Sequence, residues 1–301
     1  MRASVGDHEL EYETFGDPSH PTFVLVNGLG SQLVASPVGF CELLAAEGFH
    51  VVRYDHRDVG LSSRSSEPPP GLGAVRAALE RGETPDVPYT LSDLASDAVG
   101  LLDHLGVDRA HLSGVSMGGM VVQTLAIEHP DRLLSATSIM STTGDRRVGN
   151  PSEEAWAALT SVPPSDRDGY VEHTVRTGRV FAGEHFDPEV ARQRAEEAYD
   201  RSYRPEAATY QLAAVWTSGD RTDRLHDVDV PMLVIHGRDD TLIGLDGGEA
   251  TAMAVPGARL MVLRGMGHDL PEPLWPRLVD ALAHHATTAT RVAGAARPPE
   301  G

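Results

Sequence analysis

Short apolar runs rich in β-branched residues alternate along the chain with segments that repeat apolar residues at helical spacing. This alternation is typical of an α/β protein, in which helices flank a twisted, mostly parallel sheet. The predicted strands are Thr22–Gly28, His50–Asp55, Ala110–Val115, Leu133–Met140, Pro231–His236 and Arg259–Leu263. The predicted helices are Ser36–Glu47, Leu91–Leu105, Met117–Glu128 and, near the end of the chain, Pro273–Ala286.

Two segments interrupt the alternation. Arg64–Pro88 is rich in proline and is predicted to be a long loop with one helical turn near Ala74–Arg81. Ser141–Asp223 has no convincing strand pattern and is predicted to form several helices. It holds eight of the sixteen aromatic residues (six Phe, three Trp and seven Tyr in the whole chain). We therefore expect this helical insertion to form a cap with an apolar lining over a site.

These patterns divide the chain into a core interrupted by a cap. The first part of the core spans residues 1–140, the cap 141–223, and the second part of the core 224–286. Small residues and proline dominate the segment from Thr287 to Gly301, which is predicted to be a disordered tail.

The charged residues exclude several classes of protein. All 25 basic residues are arginine, so Schiff-base enzymes, P-loop nucleotide binders and protein kinases, which need a lysine amine, are excluded. The 44 acidic residues bring the net charge to −19. No basic stripe is available to neutralise the phosphates of a nucleic acid, and we expect no nucleic-acid partner.

Cysteine content and hydropathy indicate the compartment. A single cysteine, Cys41, excludes a disulfide framework and a cysteine-based zinc cluster. No apolar run reaches the length of a membrane span, and the N-terminus lacks the apolar stretch of a secretory signal. The expected location is the cytoplasm, without a membrane partner. No cofactor is expected. No metal is expected either, because the sequence contains no His-x-x-x-Asp-His motif and no cysteine cluster, and adjacent His284 and His285 face different directions on a predicted helix.

Gly114–Gly118 has the sequence Gly-Val-Ser-Met-Gly and matches the pattern Gly-x-Ser-x-Gly. A predicted strand enters it and a predicted helix leaves it, which is the setting that a nucleophile elbow requires. The serine must occupy a strained tight turn, and the flanking glycines let strand and helix approach closely. Ser116 is therefore the candidate nucleophile. A serine that only caps the helix would show the same local pattern.

A serine nucleophile needs a base and an acid that orients it, and in this architecture they follow in the order serine, aspartate, histidine. His268 ends the glycine-rich run Gly265–His268 after the last predicted strand and is the candidate base. The acid is expected after the preceding strand, where Asp240 is favoured over Asp239. Asp145 stays a third option, because some sheets of this type supply the acid after an earlier strand.

Two backbone N–H groups should bind the oxygen that becomes negative during attack. One belongs to Met117, the residue after the nucleophile, and the other is expected in the turn after the first predicted strand. Leu29 is favoured for it, and Gly28 is the alternative and a candidate substrate contact. The candidate cap residues of a substrate pocket are Trp156, Tyr210 and Trp216, although aromatic residues at such spacings more often pack in a core.

These segments resemble the α/β-hydrolase superfamily over essentially the whole chain. Within it the chain resembles the aclacinomycin methylesterase group of actinobacterial polyketide-tailoring esterases. The stretches that carry the resemblance are Tyr54–Ser62 (Tyr-Asp-His-Arg-Asp-x-Gly-x-Ser), Gly114–Gly118 and Gly265–Pro271 (Gly-Met-Gly-His-x-Leu-Pro). The resemblance implies that Asp55 and Arg57 brace loops beside the site. The chain departs from the superfamily at Asn27, where a histidine is common.

The predicted function is cofactor-independent hydrolysis of a small-molecule carboxylic ester through an acyl-enzyme. The resemblance suggests a methyl ester of a bulky or polycyclic natural product. A lactonase, a carbon–carbon bond hydrolase or a perhydrolase would use the same triad, and a non-hydrolytic biosynthetic enzyme or a ligand receptor could be built on the same fold. Serine at position 116 speaks against haloalkane dehalogenases and epoxide hydrolases, which need an aspartate there.

Overall fold

The computed structural model describes residues 1–295 and the side-chain environments of residues 1–291. The strands are β1 (Arg2–Val5), β2 (His8–Phe15), β3 (Thr22–Val26), β4 (His50–Tyr54), β5 (Ala110–Val115), β6 (Leu133–Ile139), β7 (Met232–Gly237) and β8 (Arg259–Leu263). The helices are α1 (Val38–Ala46), α2 (Leu72–Glu80), α3 (Leu91–His104), α4 (Met117–Glu128), α5 (Glu153–Leu159), α6 (Arg167–Phe181), α7 (Pro188–Arg201), α8 (Ala207–Ser218), α9 (Thr222–Leu225), α10 (Leu245–Ala254) and α11 (Trp275–Ala295).

The strands form one sheet in the order β1-β2-β4-β3-β5-β6-β7-β8. From β4 to β8 every neighbouring pair is parallel, whereas β1 and β2 pair antiparallel at one edge. The predicted mostly parallel sheet is therefore confirmed. The two edge strands are absent from the prediction, because β2 is largely polar and buries only Leu10 and Tyr12.

The central strands are buried along almost their whole length because helices cover both faces of the sheet. All five residues of β3 are buried, and they alternate between two clusters. Val24 and Val26 pack on the face that α3 and α4 cover, whereas Phe23 and Leu25 pack on the face of α1 and α11. Cys41 of α1 lies in the second cluster, where burial raises the pKa of its thiol to about 12.

The parallel strands bring the candidate residues to one edge of the sheet. Asn27 follows β3, Ser116 follows β5, Asp240 lies three residues beyond β7, and His268 lies five residues beyond β8. In open α/β sheets the crevice at the carboxyl ends of the strands is where ligands bind. Helices α5 to α8 follow β6 in the chain and precede β7, in the segment where a cap is predicted.

Two helices are longer than predicted. The proline-rich segment contains α2, which spans nine residues rather than one turn and packs against α8. At the end of the chain, α11 continues to Ala295, so the prediction of disorder from Thr287 is wrong for residues 287–295. Alanine has the highest helix propensity, and Ala286 and Ala289 are buried against the core. Residues 296–301 of the predicted tail lie outside the described residues.

Buried neutral histidines should make the fold sensitive to acid. The side chain of His111 on β5 is buried, with Nδ1 2.8 Å from Ser135 Oγ and the imidazole ring stacked on Phe23. Burial lowers the pKa of His111 from its usual 6.5 to about 4. The unfolded chain takes up this proton near pH 6.5 and the folded state does not. The free energy of unfolding should therefore fall by roughly 1.4 kcal/mol per pH unit for one such histidine as the pH drops below 6.5 towards 4.

Urea unfolding at several pH values between about 7 and 4.5 measures this dependence. In His111→Gln, we expect the free energy of unfolding to depend less steeply on pH than in the wild type. The control His284→Gln replaces an exposed histidine on α11 and should leave the pH dependence of unfolding unchanged. Equal pH dependence in the wild type and in His111→Gln would contradict the prediction.

Candidate active site

Ser116 lies in the sharp turn between β5 and α4, with a φ of 55° and a ψ of −120°. This conformation costs a non-glycine residue roughly 1–3 kcal/mol. Neighbouring glycines make the turn possible, since a Cβ at Gly114 would overlap the main chain of Gly118 and one at Gly118 would overlap that of Val26. The turn places Ser116 at the amino end of α4, where the helix dipole favours negative charge.

Three predicted residues form a continuous hydrogen-bonded chain. His268 Nε2 lies 2.9 Å from Ser116 Oγ, and His268 Nδ1 lies 2.7 Å from Asp240 Oδ2. The other oxygen of the buried Asp240 accepts the backbone N–H groups of Leu242 and Ile243 at 2.9 and 2.8 Å. An aspartate held in this way favours the tautomer with the proton on Nδ1, so that Nε2 can accept the proton of a hydroxyl group.

The two alternative acids make other contacts. Asp239 Oδ2 accepts the N–H of Gly265 at 3.0 Å, so its side chain braces the loop that carries His268. Asp145 pairs with Arg147, whose Nη2 lies 2.7 Å from Asp145 Oδ2. Of the three candidate aspartates, Asp240 is the one in contact with the imidazole.

The turn Asn27–Gln32, which follows β3, lies beside Ser116. A Cβ at Gly28 would be only 3.3 Å from the Ser116 Cβ, so glycine lets the main chain approach the serine closely. Within the described part of the chain, the N–H groups of Leu29 and Met117 donate to no other group. The N–H of Gly28, the alternative to Leu29, also donates to no other described group, and Met117 directly follows Ser116 in the chain.

Cap helices hold both this turn and the loop of His268. The side chain of Gln211 on α8 is fully buried, and its Oε1 accepts the N–H of Gly30 at 2.6 Å. At the end of α6, the carbonyl of Phe181 accepts the N–H of His268 at 2.7 Å. The composition of the cap does not predict either contact. The cap and the sheet therefore fix the geometry of this site together.

Asp55 and Arg57 lie in the bracing positions that the resemblance implies. Asp55 is fully buried, and its Oδ1 accepts the N–H of Leu33 at 2.6 Å while its Oδ2 lies 2.7 Å from a guanidinium nitrogen of Arg201 on α7. Arg57 donates to the buried Asp97 of α3, with Nε 2.7 Å from Oδ2. The ion pair between Asp55 and Arg201 joins the cap to the core close to the turn Asn27–Gln32.

A cavity of about 980 Å³ lies between the cap and the core, and His268 borders it. Leu29 and Val34 line it from the core side. The cap contributes aromatic, aliphatic and small residues of α6, α7 and the loop that joins them: Tyr170, Thr174, Gly178, Phe181, Phe186, Val190, Ala191, Ala195 and Ala198. This volume is at the upper end of the range for small-molecule sites.

The aromatic residues predicted for the pocket lie elsewhere. Trp156 is 40% exposed on α5, and Tyr210 is buried with its ring stacked on Tyr89. Trp216 borders a separate cavity of about 550 Å³. None of these three borders the cavity that contains His268. The part of the cap that lines this cavity comes instead from α6, α7 and the loop that joins them.

Within residues 1–295, no group of three or more His, Cys, Asp or Glu side chains is arranged to hold a metal ion. The same residues contain no helix that combines the length and the apolar character needed to cross a bilayer.

Residues 21–272 match the family model of the alpha/beta hydrolase fold. The chain belongs to this family. A rhodomycin D methylesterase of Streptomyces peucetius is 28% identical over 299 residues, which cover 92% of this chain and 95% of the relative. The 3-oxoadipate enol-lactonase 2 of Acinetobacter baylyi is 25% identical, with 85% of each chain covered. A solved meta-cleavage product hydrolase of Pseudomonas fluorescens IP01 superposes with a TM-score of 0.75 at 17% identity, covering 96% of this chain and 98% of the other.

Family membership confirms the predicted α/β-hydrolase fold and the predicted class of protein, a hydrolytic enzyme. The similarity to a methylesterase over 92% of the chain also confirms the resemblance that the short stretches around Ser116 and His268 indicate.

Proposed function

We propose that this α/β hydrolase cleaves carboxylic esters, with Ser116 as nucleophile, His268 as general base and Asp240 as the acid that orients it. The observation that carries the proposal is the continuous contact from Ser116 Oγ through the imidazole to the buried carboxylate, at 2.9 and 2.7 Å. The strained turn at Ser116 supports it, because such strain is concentrated at functional sites.

In the first half of the reaction, Ser116 Oγ attacks the ester carbonyl while His268 Nε2 takes the hydroxyl proton. The carbonyl oxygen becomes negative, and the N–H groups of Leu29 and Met117 stabilise it. The bond from the carbonyl carbon to the alkoxy oxygen then breaks. His268 gives its proton to that oxygen. The alcohol then dissociates, and the acyl group stays bound to Ser116 Oγ.

In the second half, His268 Nε2 removes a proton from water as the water oxygen attacks the acyl carbon. The bond to Ser116 Oγ breaks, the proton returns to the serine, and a carboxylic acid is released. Asp240 stabilises the imidazolium that forms in each half. No metal or organic cofactor takes part in either half.

For the substrate class we propose a methyl ester of a bulky or polycyclic compound. The rhodomycin D methylesterase that resembles this chain supports the methyl ester. The cavity of about 980 Å³, with Tyr170, Phe181 and Phe186 in its wall, supports a large apolar body. The second candidate is a lactonase, because an enol-lactonase is also similar over 85% of the chain and lactone opening would use the same groups.

Initial rates on a substrate panel test the function. The panel contains p-nitrophenyl esters, aromatic methyl esters, enol-lactones and β-diketones, and a fluorophosphonate probe reports whether Ser116 is activated. We expect covalent labelling of Ser116 and a preference for open-chain esters. Faster turnover of the lactones would favour the second candidate, and a β-diketone preference would indicate a carbon–carbon bond hydrolase. Labelling without turnover of any member would argue against both proposed activities.

A further inference from the structure

One face of α7 borders the cavity that contains His268, and a single arginine lies on it. The residues of this face recur at spacings of three and four: Asp187 at the cap of the helix, Val190, Ala191, Arg194, Ala195 and Ala198. Three of them are alanines, whose short side chains leave space beside the long side chain of Arg194. The guanidinium is half-buried.

Arg194 differs from the arginines next to it on the same helix. Arg192 lies 2.8 Å from Glu172, and Arg201 lies 2.7 Å from Asp55. Among the residues that the structure describes, Arg194 has no carboxylate and no hydrogen-bond acceptor within bonding distance, and it packs 5.9 Å from the ring of Trp275. Burial lowers the pKa of this guanidinium, and the acidic groups around it offset that effect only in part.

Within the described part of the chain, the acidic residues of the same cavity make no ion pair with Arg194. Asp187 accepts the N–H groups of Glu189 and Val190 at the start of α7. Asp269 accepts the N–H groups of Gly183 and Gly267 at 3.3 and 3.0 Å. The third acid, Glu272, is exposed to solvent and acts on Arg194 only at a distance. The cavity therefore contains one cation without a bonded anion.

We propose that Arg194 binds a carboxylate on the substrate, remote from the ester that Ser116 attacks. The proposal rests on the proposed function, and it narrows the substrate class to acidic esters. A partly desolvated guanidinium gains most from a bidentate, charge-assisted pair, for which a carboxylate has the matching geometry. The apolar lining binds the body of such a substrate, and Arg194 sets its orientation in the cavity.

Two matched series of methyl esters test this inference. The first contains the monomethyl esters of succinic, adipic and sebacic acid, and the second contains methyl esters of unsubstituted fatty acids of similar lengths. The variants are Arg194→Met, which keeps the length and the contact with Trp275, Arg194→Lys, which keeps the charge, and Arg192→Met as the control on the same helix.

For at least one acidic ester we expect Arg194→Met to lower kcat/KM by about 10- to 100-fold, chiefly through KM, the effect of losing one charge-assisted bond. Arg194→Lys should lie between Arg194→Met and the wild type. Neutral esters should change less than about twofold in all variants, and Arg192→Met should match the wild type on both series. Equal losses on acidic and neutral esters, or no loss on either, would overturn the proposal.

A binding experiment separates this inference from the proposed function. Calorimetric titration of Ser116→Ala with monomethyl adipate and monomethyl sebacate is compared with the same titration of the double variant that also carries Arg194→Met. Binding that depends on Arg194 supports the inference even if the wild type hydrolyses no ester. Equal affinity of both proteins, or no binding by either, would overturn it.

Discussion

Replacement of Ser116 by alanine is expected to lower kcat for ester hydrolysis by roughly a millionfold, the size of effect seen when a triad nucleophile is removed. Without Oγ no acyl-enzyme can form. The remaining rate acceleration comes only from substrate binding and from stabilisation of the negative oxygen by backbone N–H groups. Alanine accepts the strained backbone at this position about as well as serine does, since its side chain is the Cβ methyl group and is smaller than that of serine. The variant should therefore fold and bind substrate normally.

Ser113→Ala is the matched control, because Ser113 is buried on the same strand, three residues before the turn. We expect it to retain activity within about twofold of the wild type. Rates are measured with a p-nitrophenyl ester, and labelling with a fluorophosphonate counts the active serines in each preparation. A rate for Ser116→Ala near that of the wild type, with no labelled contaminant, would exclude the proposed mechanism.

Replacement of Asp240 by asparagine is expected to lower kcat by about 10³- to 10⁴-fold with little change in KM. The asparagine oxygen can still accept the N–H groups of Leu242 and Ile243, so the loop should keep its conformation. The amide nitrogen then faces His268 Nδ1 and favours the tautomer with its proton on Nε2. That tautomer cannot accept the proton of Ser116.

Two other aspartates provide the comparison. Asp239→Asn removes the carboxylate that braces Gly265, and Asp145→Asn removes the partner of Arg147. We expect losses below about tenfold in each case. The pH dependence of kcat/KM, measured for the wild type and all three variants, shows which substitution changes the ionisation that controls the rate. A loss in Asp145→Asn or Asp239→Asn that exceeds the loss in Asp240→Asn would assign the acid to another position.

The core of the fold and the contact among Ser116, His268 and Asp240 could be predicted because buried parallel strands leave a strong local signal. Each of the strands β3 to β7 is buried along almost its whole length, and most of them contain a short apolar run. Each candidate residue follows such a strand or the neighbouring β8 directly or within a short loop. Glycines on either side of Ser116 add a second signal, since a Cβ at Gly114 or Gly118 would overlap main chain. Local sequence carries these features without reference to the rest of the molecule.

The pocket lining could not be predicted in the same way. Aromatic content shows that the cap has an apolar interior, but it does not tell which face of each helix covers the site. Phe181 and Tyr210 both lie on helices of the cap, α6 and α8. Tyr210 nevertheless packs against Tyr89, whereas Phe181 borders the cavity. The small residues around Arg194 on α7 are a better predictor of the pocket lining than aromatic content. They identify the lining only when the position of α7 in the fold is known.

The end of the chain shows a different limitation. Alanine and threonine after Ala286 have the composition of a flexible tail as well as that of a helix. The burial of Ala289 and the contact of Thr290 Oγ1 with His111 Nε2 at 3.3 Å decide in favour of the helix. Both are long-range contacts with the core, which a local pattern does not contain.

Two hydrogen bonds affect the exchange of caps between relatives: the N–H of His268 donates to the carbonyl of Phe181, and the N–H of Gly30 donates to Gln211 Oε1. In this α/β hydrolase the cap supplies an acceptor to the loop of His268 and another to the turn beside Ser116, at 2.7 and 2.6 Å. A foreign cap without a glutamine at the position of Gln211 would alter turnover on every substrate, in addition to substrate choice. Chimeras that aim to change selectivity alone should therefore keep the end of α6 and this glutamine, and vary only the face of α7.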